Sequence, residues 1–217
     1  MRLELERERA RIHQALKALS EQAAAESQRA VRALLSGDVE EALAVREEDK
    51  AADAMRYQLE NECVAAIARQ QPVGQDAREL LAASIVAVEL ERCGDYAKGV
   101  ARAARRIIKA GGGVDAAELA KMDAIVRSML ERSTYAFLKQ DSEAADQVLR
   151  DDDLVDQIYE TLVRHTLDRM IEAPNTIESN LWLLHAAHCL ERIGDRATNI
   201  AEQALFVITG ETPTDRN

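Results

Sequence analysis

LERCGDYAKGVARAA at Leu90–Ala104 returns as LERIGDRATNIAEQA at Leu190–Ala204, one hundred positions later. Leu90/Leu190, Glu91/Glu191, Arg92/Arg192, Gly94/Gly194, Asp95/Asp195, Ala97/Ala197, Ala101/Ala201 and Ala104/Ala204 coincide in register. Self-similarity at a long fixed offset marks a duplicated structural unit. The apolar matches need reflect only packing. Gly94 and Gly194 need more, because a mid-helix glycine costs ~1 kcal/mol against alanine. Either a packed helix or a ligand must come close to the backbone there.

A second element repeats as well. Glu48-Asp49-Lys50-Ala51-Ala52-Asp53 aligns with Asp151-Asp152-Asp153-Leu154-Val155-Asp156, giving Asp49-x-x-x-Asp53 and Asp152-x-x-x-Asp156. With Glu91-x-x-x-Asp95 and Glu191-x-x-x-Asp195, each half carries two carboxylate pairs spaced i,i+4. Such side chains sit one above the other, about 6 Å apart, and like charges there weaken the helix by a few tenths of a kcal/mol. A helical wheel at ~100° per residue places Val86, Leu90, Cys93, Ala97, Val100 and Ala104 on one apolar stripe. Glu91 and Asp95 fall opposite, beside Lys98 and Arg102. Asp49 and Asp53 lie at the edge of the stripe formed by Ala52, Met55, Leu59 and Cys63.

A solvated acidic face accounts for any single pair. It accounts less well for Glu, Arg, Gly and Asp staying in register while Cys93/Ile193 and Tyr96/Arg196 diverge beside them. A ligand for such pairs would be a hard or borderline cation such as Mg, Mn, Ca or Fe rather than one from the sulfur-rich zinc set. Arg92 and Arg192 serve as salt-bridge partners, or with a metal as bridges to an anion. His188 shares the Glu191/Asp195 side of the wheel and is a further candidate ligand, whereas His185 lies further round. His13 and His165 carry no partner pattern. No Glu stands three residues before a His, so the Glu-x-x-His of a di-iron carboxylate bundle is absent.

The 217 residues are 47% hydrophobic and 31% charged, with 3 Pro, 9 Gly and few aromatics. A chain dominated by Ala, Leu, Glu and Arg favours helices over strands. Its formal net charge of -11 argues against a nucleic-acid partner, since phosphates demand a basic surface. Cys63, Cys93 and Cys189 form no CxxC and are odd in number, which points to buried free thiols of a reducing compartment. The N-terminal MRLELERERARIH is charged throughout, unlike a secretory signal. The apolar run Leu80–Val88 stops far short of the ~18 residues a membrane span requires. A soluble, cytoplasmic protein with no membrane insertion is expected.

Gly and Pro punctuate long helix-periodic stretches at Gly37-Asp38, Gln71-Pro72-Val73-Gly74, Gly111–Gly113 and Ala173-Pro174. Gln140-Asp141-Ser142 adds a break with Asp or Ser as N-cap. Six helices are predicted, near Leu5–Ser36, Val39–Gln70, Gln75–Ala110, Asp115–Gln140, Ser142–Glu172 and Asn175–Thr209, antiparallel because the joints are short. The expected fold is all-α, two tandem, similar three-helix bundles at 1–110 and 115–210. A flexible Gly-rich linker at 111–114 joins them, and a disordered tail follows at 211–217. Gly111–Gly113 lacks the Lys-Ser/Thr of a phosphate-cradling loop and ends a helix rather than a strand. No Ser or Cys nucleophile has a base at readable spacing. The basic run Arg102, Arg105, Arg106 and Lys109 closes a helix, where cations complement the dipole; a docking patch is the alternative.

LERCGDYAKGVA, LERIGDRATNIAE and the Asp49/Asp53 and Asp152/Asp156 pairs resemble the paired signatures of the PhoU family, over nearly the whole chain. The resemblance implies two three-helix bundles, often dimeric, with clusters of divalent or trivalent metal ions (Fe, Mn, Mg or Zn) on their surfaces. It implies a non-enzymatic cytoplasmic adaptor between the high-affinity phosphate ABC transporter, through its ATPase subunit, and a membrane sensor histidine kinase. That adaptor restrains uptake when phosphate is plentiful. Carried over by position, the implied metal ligands are Asp49, Asp53, Glu91, Asp95, Asp152, Asp156, Glu191 and Asp195. The second half follows the pattern through Asn199; the first departs from it at Cys93 and at Gly99, which stands where Asn199 does. Two rivals remain open: a carboxylate-metal enzyme (phosphatase or oxidase), which needs its ligands in a concave, partly dry pocket, and a helical module whose acidic faces bind nothing.

Overall fold

The computed structural model describes residues 2–47, 49–111 and 114–211, with residues 2, 47 and 49–51 described for backbone only. The helices are α1 (Arg2–Ser36), α2 (Val39–Glu47), α3 (Asp49–Gln70), α4 (Gln75–Lys109), α5 (Ala117–Lys139), α6 (Ser142–Glu172) and α7 (Ile177–Thr209). A 3-10 turn at Pro174–Thr176 precedes α7, and no strand is present among the described residues. Helices α1 to α4 form one bundle and α5 to α7 the other, so the architecture is the expected all-α pair of similar units.

The joints follow local chemistry. Gly37 adopts φ +73°, ending α1, and the Asp38 carboxylate accepts from the Glu41 backbone N–H at 3.0 Å to cap α2. Gln140 takes the left-handed conformation at φ 55°, and Asp141 caps α6 by accepting from Ala144 N–H at 3.0 Å. The second predicted helix is described as two segments, α2 and α3, on either side of Glu48, which lies outside the described residues. Helix α5 starts at Ala117 instead of Asp115 because the Asp115 side chain accepts from Ala117 N–H at 3.2 Å, holding that residue in a turn. Pro174 has no N–H to donate and confines its segment to a single tight turn. Gly112, Gly113 and residues 212–217, the linker core and most of the predicted tail, lie outside the described residues.

The stripe read from α4 is the core: Val86, Leu90, Cys93, Ala97, Val100 and Ala104 are all fully buried. Their counterparts in α7, Leu190, Ile193, Ala197, Ile200 and Ala204, are buried too. Burying each Leu, Ile or Val side chain stabilises by about 1.5–3 kcal/mol. All three cysteines are buried and free. Burial pushes the Cys63 thiol up to about 12 and the Cys189 thiol up to about 11, so neither is a thiolate near neutral pH.

The halves are not held by the linker alone. Helices α4 and α7 pack antiparallel along most of their length, with Arg78 Nη2 donating to the Val207 carbonyl at 3.2 Å at one end. Buried alanines on both sides keep this seam thin, which lets the axes approach. Midway, a Cβ on Gly99 would stand 2.5 Å from Cys189 Sγ. At the equivalent place in the other direction, Glu89 is buried and accepts from Arg196 Nη1 at 3.1 Å and Asn199 Nδ2 at 3.2 Å. The repeat makes Glu89 the counterpart of Cys189, and Asn199 that of Gly99. The first half's departure at Gly99 is therefore a packing device: one side of the seam's middle holds a charged pair, the other a thiol against bare backbone. A second seam joins α1 to α5 through Thr134 Oγ1 to Ser20 Oγ (2.9 Å) and Ser27 Oγ to Asp123 Oδ1 (2.7 Å).

Gly99→Ala should destabilise the fold by roughly 1–3 kcal/mol, the usual penalty for overpacking, despite the better helix propensity of alanine. Adding Cys189→Ala should restore most of the loss. Chemical denaturation of the single and double variants checks both, and an unrescued double variant would locate the strain elsewhere.

Candidate metal centres

Each half lays its middle helix against the helix that carries the Leu-Glu-Arg signature. In the first half this sets α3 beside α4. Glu91 is half-buried rather than on an open face, with Asp53 of α3 near it across the helix pair. The Glu91 carboxyl is raised above the usual range by burial, then by Asp95 and by Asp53. Asp95 is raised by burial and by Asp53, and Lys98 Nζ pairs with its Oδ1 at 2.8 Å. The backbone of Asp49 lies one turn before Asp53 in α3; its side chain lies outside the described residues.

In the second half α6 meets α7, and Asp152, Asp156, Glu191 and Asp195 come within electrostatic reach of one another. Asp152 is pushed up to about 6 by burial and then by Asp156, Asp195, Asp153 and Glu191. Asp156 is raised by burial and then by Glu191 and Asp153. Asp195 is raised by burial, with Glu191 adding to the rise and Arg192 opposing it. Arg192 grips Glu191 bidentately, Nε to Oε2 at 2.6 Å and Nη2 to Oε1 at 2.5 Å, and its Nη1 reaches Asp195 Oδ2 at 2.8 Å. A guanidinium thus stands between two of the predicted ligands. His188, largely exposed, places Nδ1 3.4 Å from Glu191 Oε2. His185 turns the other way, toward Cys189 and Trp182.

The glycines of the signature face packing partners. A Cβ on Gly194 would meet Asp152 Oδ1 and the side chains of Val126 and Val155 at 3.5–3.6 Å. One on Gly94 would meet Glu26 Oε2 at 3.1 Å. Gly194 therefore brings α6, with Asp152, close against α7. Arg92, by contrast with Arg192, is exposed and pairs with no described residue.

The donor set is oxygen-rich and like-charged, and its carboxyls are raised first by burial and then by neighbouring carboxylates, an environment that suits a hard cation. The arrangement is not pre-formed: among the described residues no group of three or more His, Cys, Asp or Glu is set to hold a metal ion. Drawing Asp152, Asp156, Glu191 and Asp195 around one ion requires Arg192 to swing aside.

Sequence reasoning missed the buried polar centre at the mouth of the α1/α5 seam. Glu79, 2% exposed, accepts from Arg9 Nη2 at 2.6 Å and Arg9 Nε at 3.0 Å, and pairs with His13 Nε2 at 2.8 Å. Gln140 Nε2 reaches it at 3.1 Å. The carboxyl is held low despite burial, by the hydrogen bond from His13 and the charge of Arg9. These partners lie 61–70 residues away in sequence, beyond any local spacing rule.

The raised Asp152 carboxyl makes stability depend on pH. Its folded value lies above the unfolded one, so the folded chain holds more protons and stability falls as pH rises from about 4 through about 6. In chelated buffer, Asp152→Asn should raise the unfolding free energy at pH 7.5 by roughly 1 kcal/mol, allowing for solvent screening. The gain should shrink toward zero below pH 4. Urea unfolding at the two pH values measures it; a gain independent of pH would refute its link to the raised Asp152 carboxyl.

The PhoU domain model matches residues 16–104 and 119–204, one copy in each half. A phosphate-specific transport system accessory protein PhoU homolog of Pseudomonas aeruginosa is 35% identical over 182 residues, covering 83% of this chain and 75% of its own length. The crystal structure of PhoU from Pseudomonas aeruginosa superposes with a TM-score of 0.90 at 32% identity, covering 95% of this chain and 99% of that one. The phosphate transport system regulatory protein PhoU from Streptococcus pneumoniae superposes with a TM-score of 0.89 at 26% identity, over 95% and 98% of the two chains. Two matched domains, a whole-chain relative above 30% identity and the shared fold place this chain in the PhoU domain family.

Proposed function

We propose that this chain is a non-enzymatic accessory regulator of phosphate-specific transport, working in the cytoplasm as an adaptor between the transporter's ATPase subunit and a sensor histidine kinase. On this proposal it restrains uptake and signalling when phosphate is plentiful. The observation that carries it is the likeness to PhoU accessory proteins across both halves. No described helix is long and apolar enough to cross a membrane, so the chain would reach a membrane transporter by docking on it.

Cations at the two ledges are part of the same proposal. Asp152, Asp156, Glu191 and Asp195, with His188 at the rim, would hold one cluster; Asp49, Asp53, Glu91 and Asp95 would hold the other. When bound, a divalent or trivalent ion (Fe, Mn, Mg or Zn) would neutralise the ledge. The protein's own contribution is positional. Gly194 brings Asp152 up to α7, and Arg192, which neutralises Glu191 and Asp195, would have to give way to a bound cation. Both ledges lie between a middle helix and a signature helix, where bound cations would fix or present a docking surface. A second copy of the chain is a further partner on this proposal.

Pull-down of the transporter's ATPase subunit and of the kinase's cytoplasmic part, with and without chelator, tests the mechanism. Capture that weakens in chelator is expected; capture unchanged removes metal from the mechanism and leaves the adaptor. Elemental analysis of protein purified without chelator should find metal, reduced in an Asp152→Asn/Glu191→Gln variant. Metal-free wild-type protein would end the cation proposal.

A further inference from the structure

Helix α4 ends in Arg102, Arg105, Arg106 and Lys109, all exposed. Among the described residues none of the four has an ion-pair or hydrogen-bond partner for its side chain. The cations run along about 10 Å of helix, in a chain whose net charge is -11. Favourable interaction with the helix dipole does not account for four of them, because α7 ends with no basic residue in its last turn.

The repeat sharpens the point. The counterparts of Arg102, Arg105, Arg106 and Lys109 are Glu202, Leu205, Phe206 and Thr209, and that of Trp182 is Ala82. The same seam thus closes at its other end without these residues, so packing of α4 on α7 does not require them. Beside them the first turns of α7 expose Ile177 (42%) and Leu181 (56%). Between the two helices lies a groove of about 390 Å³, lined by Arg102, Glu178, Leu181, Trp182 and His185. The Arg106 guanidinium lies 5.4 Å from the Trp182 ring centre, and the ring meets His185 edge-on at 5.6 Å.

We infer that this groove docks an acidic, amphipathic helix of a partner protein. Its apolar face covers Ile177, Leu181 and Trp182, and its carboxylates meet the row of cations on α4. A helix laid in a groove is read by apolar anchors at helical spacing with charges alongside, which is what these two half-helices offer. The cations are strung out along a helix rather than converging, as a phosphate group would need, and the exposed Ile177 and Leu181 beside them offer nothing to a bare polyanion but suit the apolar face of a helix. The inference rests on the adaptor proposal only in taking the occupant to be a protein.

Trp182 is the sole tryptophan of the chain, so its emission reports on the groove directly. The probe is a synthetic amphipathic helix with Leu on one face and Glu on the other, titrated into the full chain alongside its Lys-for-Glu counterpart. The Glu peptide is expected to shift Trp182 emission and to bind less tightly as salt is raised. Arg102→Glu/Arg106→Glu should weaken binding by roughly tenfold or more, whereas the control Lys121→Glu/Arg150→Glu should leave it unchanged. Circular dichroism confirms that both variants fold. No binding of the Glu peptide, equal loss in both variants, or stronger response to the Lys peptide, ATP, pyrophosphate or anionic vesicles would overturn the inference. Capture of the ATPase subunit and kinase is measured on the same proteins. Wild-type capture without peptide binding sinks the groove alone, while absence of capture by wild-type protein sinks the adaptor proposal whatever the peptide does.

Discussion

The close antiparallel contact between α4 and α7 is the constraint from which the rest of the architecture follows. Two helices of more than thirty residues approach because alanines line the shared surface and because Gly99 leaves room for Cys189 Sγ. Once those helices are together, each has one side committed to the other half, another to its own bundle, and a third left for the middle helix. The signature carboxylates occupy that third side. A duplicated chain thus needs few linker contacts to behave as one body, since its largest interface joins the halves.

Placing a middle helix over the signature has an electrostatic consequence. Each carboxylate pair weakens its own helix slightly, and bringing Asp152, Asp156 and Asp195 together with Glu191 under a covering helix raises their carboxyls, by burial first and by neighbouring charge after it. The two ledges relieve it differently. In the first, Lys98 takes Asp95, while Glu91 beside Asp53 keeps a raised carboxyl. In the second, Arg192 inserts its guanidinium between Glu191 and Asp195. Two copies of one motif therefore present different surfaces to any cation, a difference that Arg92 and Arg192, both arginine, do not reveal as letters.

Much of the fold was legible because its causes are local. The helices ended where Gly37, Gly210 and the Gln140-Asp141 joint place a left-handed residue or a cap, and the α4 stripe from Val86 to Ala104 emerged buried as its period demands. The part of the candidate site that was not legible depends on neighbours from other elements. The wheel placed Glu91 on open polar surface, since a wheel of one helix knows nothing of α3. His13 carried no local pattern and proved to pair with buried Glu79 from α4. Glu89 ended an apolar run as though it marked a return to solvent, yet it lies buried against Arg196 and Asn199.

The amino-acid sequence by itself determined the helical class, the duplication and the core stripes. Those properties are written in periodicity, capping residues and the hundred-residue offset, all of which act along one chain segment. Only the tertiary structure decided which carboxyls meet, which cation quiets them, why Gly99 stands where the other half has an asparagine, and that the four cations closing α4 have no ion-pair partner among the described residues. Charge and close packing are interactions across space, and their sign and size are set by partners that the order of residues does not bring together until the chain has folded.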